Sequence, residues 1–434
     1  MSDTEPSGHN PADGQLPEGW DAESLDRLTA STRPICYGVL KPGDRVEGGV
    51  PLIRIVDIKN DLLDLTDAHL ISKELDDEFS RSRLLGGEVL LSIQGTIGRV
   101  ALAPESAKGA NISRTIAVIQ TDNRTNSPFV RYWLMWASAT NQFKIGGTTR
   151  NSLNISDIRS LQCPLPPLAE QERIVEILEE QLSRLDAALE SVRVVREKAA
   201  QFRRSLLHAA FTGTLTGHNI EDGQLPEGWQ QITLGEIVSL KSGFAYKSRD
   251  WQETGVPVIK IANVRAGKVT IEGCSHINES IAAETVEFVV NEGDILMTLT
   301  GEIGAIGVYR EKFESRLNQR VARIDLNATE QSLLRYLVGF LESPEFRSEM
   351  WRLSKGMAQP NISPKQVVAI SMGLPPLAEQ ERIVEILEEQ LSRLDAALAV
   401  ADAIEKRSAA LRRSLLHAAF TGRLTEQWRE LSHV

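Results

Sequence analysis

Cysteine is scarce in this 434-residue chain. The three present, Cys36, Cys163 and Cys274, are far apart and odd in number, so they define no disulfide framework. Cys274 has His276 close by, but two candidate ligands fall short of a structural zinc site, which takes four. The expected role of the cysteines is that of small side chains in a reducing cytoplasm. No apolar run approaches the roughly 18 residues of a bilayer-spanning helix. The opening "MSDTEPSGHNPADGQLPEGW" is polar and acidic, which fits neither a secretory signal nor an Arg-rich transit peptide. Its first dozen residues are expected to be a disordered tail. Catalytic signatures are missing as well. There is no G-x-x-x-x-G-K-[ST] and no strand-linked G-x-G-x-x-G. Nor is there an H-E-x-x-H, a G-x-S-x-G, a deaminase-type Cys/His set or an N-P-P-[FYW]. The seven histidines are scattered. His208 and His417 have no partner motif around them, so they are read as packing or surface residues. "NIS" at Asn111, Asn154 and Asn361 matches a glycosylation acceptor, a pattern without meaning in a chain that is not secreted.

What is present is an ordinary globular composition, 41% apolar and 25% charged, sufficient for buried cores. The net charge of −11 speaks against a nucleic-acid partner, but its distribution does not. Residues 30–163 and 229–373 are close to neutral, at +2 and −1. The acidity lies in the tail, the linker and a pair of repeated segments. A local basic face on each neutral region is therefore allowed.

The repeat organises the chain. "LPPLAEQERIVEILEEQLSRLDAAL" occurs at 165–189 and again, unchanged, at 374–398. "DGQLPEGW" occurs at 13–20 and 222–229, and "RRSLLHAAFTG" at 203–213 and 412–422, all three pairs offset by 209 residues. Two tandem units follow, a number that points to pseudo-symmetry rather than a solenoid. The regions between the repeated blocks have drifted. "GGEVLLSIQGTIGRVAL" at 86–102 faces "EGDILMTLTGEIGAIGV" at 292–308, and "VPLIRIVDI" at 50–58 faces "VPVIKIANV" at 256–264. "LNIS" at 153–156 faces "PNIS" at 360–363. Uniform drift would not spare the blocks alone, so the two variable regions do different jobs on matching scaffolds.

After "PLPPL", apolar residues recur at three- and four-residue steps: Ile174, Leu178, Leu182, Leu185, Leu189, Val192, Val195, Ala199, Phe202, Leu206 and Ala210. That spacing marks one helix face. Pro166 and Pro167 suit its start, and Gly213 and Gly422 suit the two stops. Each helix is expected to run about 45 residues, roughly 65 Å, and to need a partner; the other copy supplies it as a coiled coil. The short linker after Gly213 favours an antiparallel pair. Each variable region reads as α/β: strands in "VPLIRIVDI", "EVLLSI" and "RTIAVIQ", with glycine turns in "QGTIG" and "TGEIG". A helical stretch follows, "SPFVRYWLMWASATNQF" in one region and "EQSLLRYLVGFLESPEF" in the other.

The "LPEGW" openings, the doubled "PLPPLAEQERIV" helix starts and the twofold order of linker, variable region and long helix resemble the specificity subunit of type I restriction–modification systems. The resemblance covers essentially the whole chain after the tail, and the doubled "LPPLAEQ" is its most specific part. It implies an α+β protein with two α/β target recognition domains separated by a long antiparallel two-helix coiled coil, as a pseudo-twofold internal repeat. The implied divisions are a disordered tail at 1–12, a first recognition domain at 13–163 and a central conserved helix at 164–213. A linker at 214–228, a second recognition domain at 229–373, a distal conserved helix at 374–424 and a C-terminal tail at 425–434 complete the chain. Each recognition domain would read half of a bipartite, asymmetric sequence in double-stranded DNA. The helices would set the gap and bind two adenine-N6 methyltransferase subunits, with or without two restriction subunits. The subunit itself would be non-catalytic and cytoplasmic, with no membrane partner and no cofactor. S-adenosylmethionine, ATP and Mg would belong to its partners.

Base reading uses Arg, Lys, Gln, Asn, Ser, Thr and similar side chains on exposed loops. In the first region the candidates are Gln94, Thr96 and Arg99, then Thr148, Thr149, Arg150 and Asn151. In the second they are Lys241, Tyr246, Lys247, Arg249, Thr300, Lys355 and Gln359. Candidates for partner binding are the repeated charged residues at the helix starts, Glu170, Gln171, Glu172 and Arg173 with Glu379, Gln380, Glu381 and Arg382. The alternative is a structural adaptor whose dumbbell bridges protein partners without reading DNA.

Overall fold

The computed structural model describes residues 16–59, 61–143, 152–218, 224–265, 267–327, 331–354 and 360–432. The chain divides into two compact units. Arg193–Asp402 forms one; the chain up to Val192 and from Ala403 forms the other.

In the first variable region, strand Val89–Ser92 turns back on Val100–Leu102 and is flanked on its other side by Ile116–Ile119, with Cys36–Tyr37 beyond. The central strands are apolar at nearly every position because both faces are covered. Val89 and Leu91 point toward helix Ser127–Ala139 and join Phe129, Val130 and Trp133 in one core. Leu90 points the other way, among Ile53, Ile112, Ile116 and Val118, as the period of two requires. A smaller mixed sheet sets Val50–Ile53 between antiparallel His69–Ile71 and parallel Asn111–Ile112. Strand Asp21–Ser24 pairs with Gln162–Leu165, which brings the region's start beside its exit into the long helix.

The second variable region repeats this plan. Ile295–Thr298, Ile306–Val308, Val321–Leu326 and Val238–Ser242 occupy the matching places in the main sheet, here extended by Gly267–Val269 and Val264–Arg265. Val256–Ile259 lies between Ser275–Ile277 and Ser315–Leu317, and Gln230–Thr233 closes on Ser371–Leu374. The single helix expected over "EQSLLRYLVGFLESPEF" is two, Gln331–Glu342 and Pro344–Leu353. Ser343 caps the second by accepting from the Phe346 N–H at 3.2 Å, and Pro344 cannot supply the N–H that would continue the first.

The long helices run Leu168–Thr212 and Leu377–Phe420. Gly213 leaves the first in the left-handed conformation, φ 85°, and Gly422 has φ 75°, as a C-terminal stop demands. Within each unit, segments of the two helices pass in opposite directions. In the first unit Ile174, Leu178 and Leu182 share a core with Leu416, Ala419 and Phe420. In the second unit Leu206, Ala210 and Phe211 share one with Ile383, Val384 and Leu387. Arg412 pairs with Asp186 in the first unit, and Arg203 reaches Asp395 at 3.8 Å in the second. These two pairs use the same repeat positions reciprocally. Phe420 packs edge-on to Phe129 at 5.3 Å, and its copy Phe211 does the same to Tyr336 at 5.2 Å.

Two expectations change. Val195 and Phe202 share the spacing of the apolar stripe, but both are exposed. Val192, Ala199 and Leu206, spaced by seven, are buried; a two-helix pair has only this narrow seam. The stretch set aside as a C-terminal tail carries a helix, Glu426–Ser432.

Candidate nucleic-acid interface

The glycine turns are built alike in the two regions. At the end of strand Val89–Ser92, the Ser92 hydroxyl donates to the Thr96 carbonyl at 2.6 Å and accepts from the Arg99 N–H at 2.8 Å. Thr298 makes the matching bonds, donating to the Glu302 carbonyl and accepting from the Ala305 N–H. Gly95, Gly98, Gly301 and Gly304 all have φ between 73° and 88°, a region that side chains disfavour.

Around these turns the candidates separate. Thr96 is exposed and Gln94 half-buried, bridged to Ser152. Arg99 is exposed, yet its guanidinium donates to the carbonyls of Ile55 and Ile58 at 3.3 and 3.1 Å. Thr148, Thr149, Arg150, Asn151, Lys355 and Gln359 lie outside the described residues. Lys241 sits 3.1 Å from Glu287. Tyr246 is half-buried and donates to Thr285 at 3.2 Å; burial raises its phenol above the ordinary range. Lys247 and Arg249 are exposed, and Arg249 is 3.8 Å from Asp250. Thr300 does not fit a base contact: it is 8% exposed, and its hydroxyl donates inward to Asn361 at 2.9 Å.

Beside the Thr300 turn, the second region has a cleft of about 350 Å³ whose walls include Ser242, Gln319, Arg320, Asn361 and Ser363. Nothing in the sequence marks Gln319 and Arg320, which stand next to no glycine turn or lysine-rich loop in the chain. The fold, not the sequence, brings them there.

The repeated helix starts also divide. Glu170 is 2% exposed. Its carboxylate accepts from the Trp20 indole N–H at 3.0 Å, from Thr425 at 2.6 Å and from Arg429. Gln171 is buried; its amide donates to the Pro166 and Arg124 carbonyls and its oxygen accepts from the Asn126 N–H. Gln380 is buried and donates to the Pro375 carbonyl. Glu379 accepts from Thr216 at 2.6 Å and sits 2.9 Å from His218. Burial pushes the Glu379 carboxyl up, but the hydrogen bonds from Thr216 and His218 outweigh it and hold it below its ordinary value. Glu170, Gln171 and Gln380 are therefore internal ties, not docking residues. Glu172, Glu381 and Arg382 are exposed, and Arg173 is partly exposed and paired with Glu176 at 2.5 Å.

Among the described residues no group of three or more His, Cys, Asp or Glu could hold a metal. None of the described helices is long and apolar enough to cross a membrane.

The family profile described as the type I restriction modification DNA specificity domain matches residues 40–191 and 226–399. The specificity subunit of the EcoKI type I restriction enzyme, from Escherichia coli strain K12, is 26% identical over 441 residues, covering 96% of this chain and 91% of that one. The EcoBI specificity subunit of Escherichia coli is 31% identical over 211 residues, covering 46% of this chain and 43% of the relative, so that match spans less than half of either. Among solved structures, a chain from work on complex assembly and conformational transition of the type I R-M system superposes with TM-score 0.65 at 22% identity, covering 94% of this chain and all of that one. The HsdS subunit from Thermoanaerobacter tengcongensis gives 0.53 at 21% identity, covering 94% and 98%. Matched twice by one profile and along nearly its full length by a curated relative, this chain belongs to the specificity-subunit family of type I restriction–modification systems.

Proposed function

We propose that the chain reads a bipartite, asymmetric DNA sequence, one half-site per variable region, and docks two adenine-N6 methyltransferase subunits, with or without restriction subunits. It performs no catalysis itself; S-adenosylmethionine, ATP and Mg are held by its partners, and it acts in the cytoplasm. The observation that carries this reading is the contrast between conserved and divergent parts of one repeated scaffold. The turns share their hydrogen bonds, while the side chains at matching positions differ: Gln94, Thr96 and Arg99 stand where the second copy has Thr300, Glu302 and Ala305. Identical blocks suit identical protein partners, and unlike loops suit unlike half-sites. Acidic helices are poor ligands for phosphate, so much of the backbone contact is expected from the partner subunits.

Genome-wide mapping of N6-methyladenine in cells with and without the gene tests the reading. The expected result is a two-part asymmetric motif that loses methylation when the gene is deleted. An unchanged methylome, in cells that express the methyltransferase subunit, would refute it and favour a protein adaptor.

A further inference from the structure

Four chain segments meet at one end of each main sheet. In the second region they are the stretch after Ser242, the turn after Thr298, the loop Asn318–Arg320 and the stretch around Asn361. The loop is fixed by backbone bonds: Leu299 N–H to the Arg320 carbonyl at 2.9 Å, and Gln319 N–H to the Phe244 carbonyl at 3.0 Å. The first region makes the same bonds, Ile93 N–H to the Thr115 carbonyl at 2.8 Å and Arg114 N–H to the Val39 carbonyl at 2.9 Å. Asn318, Gln319 and Arg320 thus stand where the first region has Ser113, Arg114 and Thr115. The crossing segments are pressed together. A Cβ on Gly243 would lie 2.1 Å from the Leu317 carbonyl oxygen, and one on Gly38 1.7 Å from that of Ile112. The loops are therefore rigidly placed while their side chains are free to differ.

Arg114, Gln319 and Arg320 are exposed. Among the described residues, no carboxylate pairs with Arg114 or Arg320. Neighbouring arginines are held internally: Arg99 by the Ile55 and Ile58 carbonyls, Arg316 by the Ala282 and Ser315 carbonyls, and Arg323 by Asp325 and the Val289 carbonyl. Arg320 also lines the polar cleft beside the Thr300 turn. A guanidinium on a fixed loop with its donors unpaired matches the O6 and N7 acceptors of guanine in the major groove, and a glutamine amide beside it matches N6 and N7 of adenine.

We propose that Arg320, with Gln319 beside it, reads a guanine-containing step of the half-site recognised by the second variable region, and that Arg114, at the loop position Gln319 takes in the second region, reads a guanine of the other half-site. This rests on the proposed DNA reading.

The test uses the complex with its methyltransferase subunits and measures competition between the mapped target duplex and duplexes altered at one base pair each. Arg320→Ala is expected to lose roughly ten- to a hundredfold discrimination at one G·C position of one half-site, with the other half-site read as before. Arg114→Ala should do the reverse, and thermal unfolding of both should match the parent. Unchanged discrimination at every position would overturn the proposal. So would a loss of affinity that is uniform across all sequences, the mark of a phosphate contact, or a mapped second half-site without a G·C pair. Failure of the parent complex to select any sequence would instead refute the underlying DNA reading.

Discussion

Glu170 and Glu379 occupy the same place in two copies of an identical block, yet their neighbours differ. Glu170 is enclosed by Trp20, Thr425 and Arg429. Glu379 has Thr216, the repeat counterpart of Thr425, and His218. Removing Glu170 leaves a largely buried guanidinium without its counter-charge, so Glu170→Ala is expected to cost about 3–5 kcal/mol. Glu379→Ala loses hydrogen bonds at a less enclosed site, about 1–3 kcal/mol. Urea unfolding of the two variants checks the order, and equal losses would contradict it. The pH dependence of Glu379 has a definite sign. Its carboxyl is held below the ordinary value, so its contribution is present above that value and is lost as the pH falls through the lower folded one. Glu379→Gln should therefore flatten the acid side of the stability profile.

The long helices were the most legible elements. Their three- and four-residue spacing, the prolines before Leu168 and the glycines at 213 and 422 all act locally, and the observed bounds follow them. The strand–turn–strand of each main sheet was legible for the same reason. Less legible was what depends on distant chain. Glu170, Gln171 and Gln380 look like surface charge and amide at a helix start, and only the fold turns them inward. The Ser343–Pro344 break carried a local signal, a cap followed by a proline, which the apolar pattern on either side masked. Arg320 could not be placed before the fold was known. The helices also leave more apolar surface than their pairing covers. Phe202 and its repeat copy Leu411 are 45% and 44% exposed, and Val195 and Ile404 are a second exposed equivalent pair. These are natural seats for the two proposed methyltransferase subunits. Phe202→Asp should change stability by no more than about 0.5 kcal/mol and leave one subunit bound in place of two, and adding Leu411→Asp should leave none. Native mass spectrometry counts them; two subunits retained on the double variant would remove these residues from the docking surface.

At the scale of the molecule, each compact unit draws its core from both copies of the repeat. The first takes its core from residues up to Leu182 and from Leu416, Ala419 and Phe420. The second takes its core from Leu206–Phe211 together with the chain from Trp229 to Leu387. The peptide bonds between His218 and Gln224 are thus not what holds either core together. A protease cut there would leave two fragments, each with one variable region and one long helix, joined by two separate buried cores. Produced as residues 1–218 and 224–434, the fragments are expected to co-purify and to part only in denaturant; separation in plain buffer would show that the covalent link is essential. Because both cores are lined by the repeated blocks, a fragment bearing a different variable region between the same blocks should enter the same assembly. New two-part specificities could then arise by exchanging halves between genes, with no change at any core residue.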